Sequence, residues 1–69
     1  MFYPGTILQV AGFSKLLRVD TGRFDTDYEL RCIYVSEPPH VTYVGLHDKV
    51  VAMYPSLEYV EQHHPELLI

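Results

Sequence analysis

Residues Ala52 to Gln62 read AMYPSLEYVEQ, and the order of residue types in that stretch carries most of the information about the fold. It opens as the end of an apolar run, KVVAMY from Lys49 to Tyr54, whose β-branched and aromatic residues suit a strand. Pro55 has no backbone N–H to give to a ladder, so a strand arriving through Val51 stops at Tyr54. Ser56 is a residue type that caps helical turns, which predicts a short turn of 3-10 helix through Leu57 and Glu58.

Working outward toward the N-terminus, alternation of apolar and polar residues recurs between turn signals at the spacing of an all-β barrel or sandwich. The first strand is expected over Thr6–Val10, after Pro4-Gly5 and before Ala11-Gly12, and the second over Lys15–Asp20. The glycine and aspartates of TGRFDTD, which follows, favour a loop. The third strand, YELRCIYV from Tyr28 to Val35, places Tyr28, Leu30, Cys32 and Tyr34 on one face. Its other face changes from charged (Glu29, Arg31) to apolar (Ile33, Val35), as a strongly bent strand would require. SEPPH interrupts, because two prolines cannot both donate to a ladder. VTYV, Val41–Val44, is the fourth strand, GLHD the turn, and Lys49–Tyr54 the fifth strand.

Working toward the C-terminus, Leu57, Val60, His64, Leu67 and Leu68 share one face if the tail is helical. Pro65 interrupts that pattern, so a continuous helix is disfavoured unless it restarts with proline as its first residue. The apolar ending Leu67–Ile69 predicts burial, either on the same chain or against a second copy. The division expected is a barrel over residues 1–61 and an apolar tail over 62–69.

A chain of 69 residues accommodates a single small core, whose stability is marginal without further support. Cys32 is the one cysteine and has no partner for an intramolecular disulfide, which fits a reducing, cytoplasmic setting. The N-terminal MFYPGTILQV lacks a basic region and its apolar run is broken, so neither a signal peptide nor a membrane anchor is expected. The formal charge is −4, and the five bases Lys15, Arg18, Arg23, Arg31 and Lys49 are scattered, so nucleic acid is a disfavoured partner.

Five short strands, a long second loop and YPSLEYVE from Tyr54 to Glu61 resemble the SH3-like small β-barrel, whose closing segment runs aromatic-Pro-Ser-Asn-Tyr-Val-Glu. That resemblance implies an all-β, five-stranded SH3-like barrel with a 3-10 turn before the last strand and a short C-terminal tail. SH3 domains that bind proline-rich peptides use a tryptophan, and this chain has none, so the fold carries over without the peptide specificity. The tail is also similar to the plasmid-borne type II dihydrofolate reductases. Tyr54 stands at their tyrosine and Met53 at their isoleucine, while Ala52 replaces a glutamine that hydrogen-bonds ligand.

Among chemistry-bearing residues, His40, His47, His63 and His64 lack the doubly paired spacing of a structural zinc site, so no metal is expected. Cys32 shares a face with Leu30 and Tyr34 and is expected to pack as a small hydrophobe. No serine sits in a nucleophile motif, and the glycines are isolated, so neither catalytic residues nor a cofactor are expected. The tyrosines are the most informative set, because each joins apolar area to a polar tip. The expected function is a non-catalytic protein-binding module, small, acidic and regulatory. Its partner would be another protein, met by Tyr54, Pro55 and Tyr59 together with Asp25 and Asp27 of the second loop and Tyr28 at the start of the third strand. The alternatives are an acidic inhibitor of a nucleic-acid-handling protein, which would use Asp20, Asp25, Asp27 and Glu29, and an oligomeric reductase-like enzyme.

Overall fold

A computed structural model describes residues 3–24, 29–35, 40–45 and 47–68. Five antiparallel strands, β1 (Ile7–Val10), β2 (Leu17–Phe24), β3 (Glu29–Tyr34), β4 (Val41–Gly45) and β5 (Val50–Tyr54), form one sheet in the order β4-β3-β2-β1-β5. A helix, α1 (Leu57–His63), and a 3-10 turn (Pro65–Leu68) follow. The fold is therefore all-β with a helical C-terminal cap, and its strand order is compatible with an SH3-like small β fold.

Each turn has a local cause. Between β1 and β2, the N–H of Phe13 donates to the carbonyl of Val10 at 3.1 Å, and Gly12, at φ 90°, takes the left-handed position that this turn demands. Between β4 and β5, the N–H of Asp48 donates to the Gly45 carbonyl at 3.1 Å while the Asp48 carboxylate accepts from the Gly45 N–H at 2.8 Å.

That second turn also shows that the sheet is rolled. The hydrogen bond holds the Gly45 and Asp48 Cα atoms within about 7 Å, and two further residues add at most about 7 Å before β5 begins. In a flat five-stranded sheet the outer strands would stand about 19 Å apart. The sheet must curve, and it stays open: among the described residues no ladder joins β4 to β5. Two register shifts assist the curvature. One lies opposite Gln9 and Val10 in the β1–β5 ladder; the other lies between Val19 and Phe24 in the β2–β3 ladder.

The second shift changes the expected boundary of β2. Thr21 to Phe24, expected to open a loop, belong to the strand, because extra residues can be taken up as a bulge without ending the pairing. β2 also starts two residues later than expected, at Leu17, and the described ends of the other strands fall within one residue of those expected.

Period-2 alternation divides the apolar residues between two clusters. The inner one joins Leu8, Val10, Leu17, Val19, Leu30, Cys32 and Val44, all nearly inaccessible, with Phe13, Tyr34 and Val50 at its margin. The outer one joins Ile7, Leu16 and Val60 with Val35, Tyr54, Leu57 and Leu67. β3 and the residue that follows it feed both: Leu30 and Cys32 enter the inner cluster, Val35 reaches the outer one, and exposed Arg31 pairs with Asp20 at 3.2 Å.

The segment after Tyr54 differs from the expected 3-10 turn. Ser56 caps a two-turn α-helix, its Oγ accepting from the N–H of Tyr59 at 3.1 Å. The Leu57–Val60 stripe then finds apolar cover on the sheet, which sustains a second turn. The helix ends where proline requires it: His64, which precedes Pro65, adopts φ −138° and ψ 51°. Pro65 then starts the 3-10 turn, and the turn stands after β5, with no strand following it among the described residues. Leu67 returns to the outer cluster, so this part of the apolar ending is covered by the chain itself.

Candidate functional site

Tyr54 is the last residue of β5, opposite Ile7 of β1, and its ring packs in the outer cluster. Tyr59 is in the first turn of α1, one residue before Val60, whose complete burial pins the helix to the sheet. Pro55 and Ser56 make the corner between them. The two tyrosine rings stack with centroids 6.4 Å apart and an interplanar angle of 26°.

Two histidines extend this stack. His63, one helical turn beyond Tyr59, lies with its ring centroid 4.4 Å from that of Tyr59. His64 lies 5.1 Å from Tyr54 and 6.1 Å from Tyr59. The four rings form a ledge: Tyr54 and His64 are half-buried and anchored, whereas Pro55, Tyr59 and His63 are exposed. Glu66 stands 3.7 Å from His64 Nδ1, a position from which it can pair with a protonated imidazole.

On the opposite flank of the buried helical stripe is a groove of about 410 Å³, with Leu16, Val35, Leu57, Leu67 and Leu68 as its apolar lining and Lys15, Ser14 and Glu61 as its polar lining. At about 100° per residue, Leu57 and Glu61 project on one side of Val60, and Tyr59 and His63 on the other. The helix therefore presents an aromatic flank and an aliphatic flank.

Of the residues singled out from sequence, Tyr54, Pro55 and Tyr59 come together. Asp25, Asp27 and Tyr28 lie outside the described residues. From sequence His63 and His64 were weighed as metal ligands; their part in the ledge was missed because it depends on α1 being a true helix. The i, i+4 spacing of Tyr59 and His63 was the signal available. Tyr34 packs instead against the inner cluster and Phe13, with centroids 6.5 Å apart, and Tyr43 is exposed on β4.

Cys32 is fully buried, and desolvation, with a smaller contribution from the Asp20 carboxylate, pushes its thiol up to about 11. It is thus a neutral packing residue at physiological pH rather than a nucleophile. Among the described residues no group of three His, Cys, Asp or Glu side chains is placed to hold a metal ion, and no helix is long and apolar enough to cross a membrane. The chain matches no protein-family model, no curated protein and no solved structure.

Proposed function

We propose that this protein is a non-catalytic binding module that engages another protein through the ledge of Tyr54, Pro55 and Tyr59, flanked by His63 and His64. The observation that carries this reading is the stack of Tyr54 with Tyr59, one ring anchored in the outer cluster and the other 38% exposed. An exposed aromatic held by a packed neighbour loses little conformational freedom on binding, which is the property of an interface anchor. Strand, proline corner and capped helix converge on this surface. Asp20, counted among the carboxylates of the inhibitor alternative, is already paired with Arg31.

The test is capture from the source lysate with tagged protein beside a Tyr59→Ala variant, followed by mass spectrometry of what is retained. Retention by the wild type and loss by the variant supports the ledge. Equal retention by both, with release at modest salt, would instead favour the acidic-inhibitor alternative.

A further inference from the structure

β4 is a terminal strand of the sheet, bonded to β3 along one side. Edge strands ordinarily carry a charge, a proline or a bulge that prevents pairing with another chain. β5, at the other end of the sheet, is guarded in this way: the register shift opposite Gln9 and Val10 leaves Val51 without a partner in mid-strand. β4 has no such guard. Its five residues, VTYVG, are uncharged, and its ladder with β3 runs unbroken from Val41 to Gly45.

The backbone groups on that edge can be assigned one by one. Just before β4, and in the continuation of the same register, the His40 carbonyl accepts from the N–H of Tyr34 at 3.0 Å. Bonded and non-bonded pairs alternate along an antiparallel ladder, so Thr42 and Val44 also turn their N–H and C=O groups toward β3. Val41, Tyr43 and Gly45 turn theirs to the free edge. Those of Gly45 are already used: its N–H donates to the Asp48 carboxylate at 2.8 Å, and its carbonyl accepts from the Asp48 N–H at 3.1 Å. Val41 and Tyr43 keep two donors and two acceptors that no described strand meets.

A second β4 satisfies all of these in one register. Edge-facing residues must oppose edge-facing residues, so the two-fold axis passes through a residue of the strand and not between two. About Val41, Tyr43 would meet Pro39, which has no N–H to donate. About Tyr43, Val41 would meet Gly45, whose groups Asp48 occupies. About Thr42, Val41 meets Tyr43 twice, and each pair exchanges two hydrogen bonds. The same register covers the exposed side chains: Val41 and Tyr43, 48% and 42% accessible, form a β-branched–aromatic pair on one face, made twice by the symmetry. No charge enters the ladder, although each chain carries a formal charge of −4. Backbone and side chains thus select the same partner strand, and association is a usual source of added stability for a core this small.

We propose that β4 pairs antiparallel with β4 of a second copy, with Val41 opposite Tyr43 and Thr42 opposite itself. The contact is isologous and uses both β4 edges, so it closes as a dimer and does not propagate. No residue of α1 enters the ladder, and the proposal does not depend on the binding role of the ledge.

Sedimentation velocity from micromolar to millimolar concentration tests it, with circular dichroism to confirm folding and amide hydrogen exchange by NMR to read the register. The expected result is a reversible dimer of twice the 8.0 kDa chain mass. Val41→Lys and Tyr43→Lys, both at exposed positions, are each expected to weaken it roughly tenfold or more, since each enters the ladder twice. Val41→Pro is expected to weaken it as well, because it removes an N–H that the β3–β4 ladder does not use. Exchange of the Val41 and Tyr43 amides is expected to slow as concentration rises, while that of Val51 does not change. A monomer at every concentration overturns the proposal, as does a dimer indifferent to both lysines. Concentration-dependent protection of only one of the Val41 and Tyr43 amides overturns the register, and protection confined to β5 overturns the choice of edge.

Discussion

Val60 is the residue on which the position of the ledge turns. It is fully buried between Ile7 and Leu16, and removing two methyl groups there leaves a cavity under the helix. Val60→Ala is expected to cost about 2 kcal/mol, a drop of roughly 10 °C in Tm for a domain of this size, measured by thermal unfolding. Gly12→Ala separates backbone from packing: its added Cβ meets nothing within 4 Å, so the cost is that of the left-handed φ alone, about 1 kcal/mol. Cys32 gives a pH dependence of definite sign. Its thiol rises from an ordinary 9.0 to about 11 on folding, so the unfolded chain loses this proton first as pH increases. The stabilisation is fully present below pH 9 and is lost as pH rises toward 11, at up to about 1.4 kcal/mol per unit. Denaturant titrations in that window are expected to show a steeper decline for the wild type than for Cys32→Ala. The inward face of β3 was legible from alternation alone, because Leu30, Cys32 and Tyr34 sit where a period of two requires. The partner of Arg31 was not, since Asp20 meets it only through the β2–β3 ladder.

At the scale of elements, the C-terminal segment shows both what sequence could and could not supply. Ser56 as a cap, Pro55 as a strand terminator and Pro65 as a restart were each readable from local chemistry. Whether the turn at Ser56 would continue as α-helix was not, because that is decided by the apolar cover offered by Ile7 of β1 and Leu16, just before β2, both distant in sequence. The ledge depends on that continuation, as His63 meets Tyr59 only one full helical turn later. Ser56→Ala is expected to destabilise the protein by about 1 kcal/mol, measured in urea, with loss of the Tyr59 N–H bond as its cause. Deletion of residues 66–69 removes Leu67 from the outer cluster and is expected to lower Tm. An unchanged Tm would show that the 3-10 turn adds nothing to the cover over Ile7 and Val60.

At the scale of the molecule, a rolled, open sheet carries a short helix that packs on Ile7 and Leu16 and displays aromatic side chains. Strand number and order of turns were legible because punctuation by glycine, proline and aspartate is local. The extension of β2 through Thr21–Phe24 was not, because a bulge is visible only against the partner strand. Tyr43 and Tyr59 provide a matched comparison for the functional claim, being 42% and 38% exposed on different elements. The most direct measurement is the affinity of the captured partner for wild type, Tyr59→Ala and Tyr43→Ala by isothermal titration calorimetry. Binding through the ledge predicts a loss of about 2 kcal/mol, roughly thirtyfold in Kd, for Tyr59→Ala and little change for Tyr43→Ala. Equal affinity for wild type and Tyr59→Ala, or a loss confined to Tyr43→Ala, would contradict it.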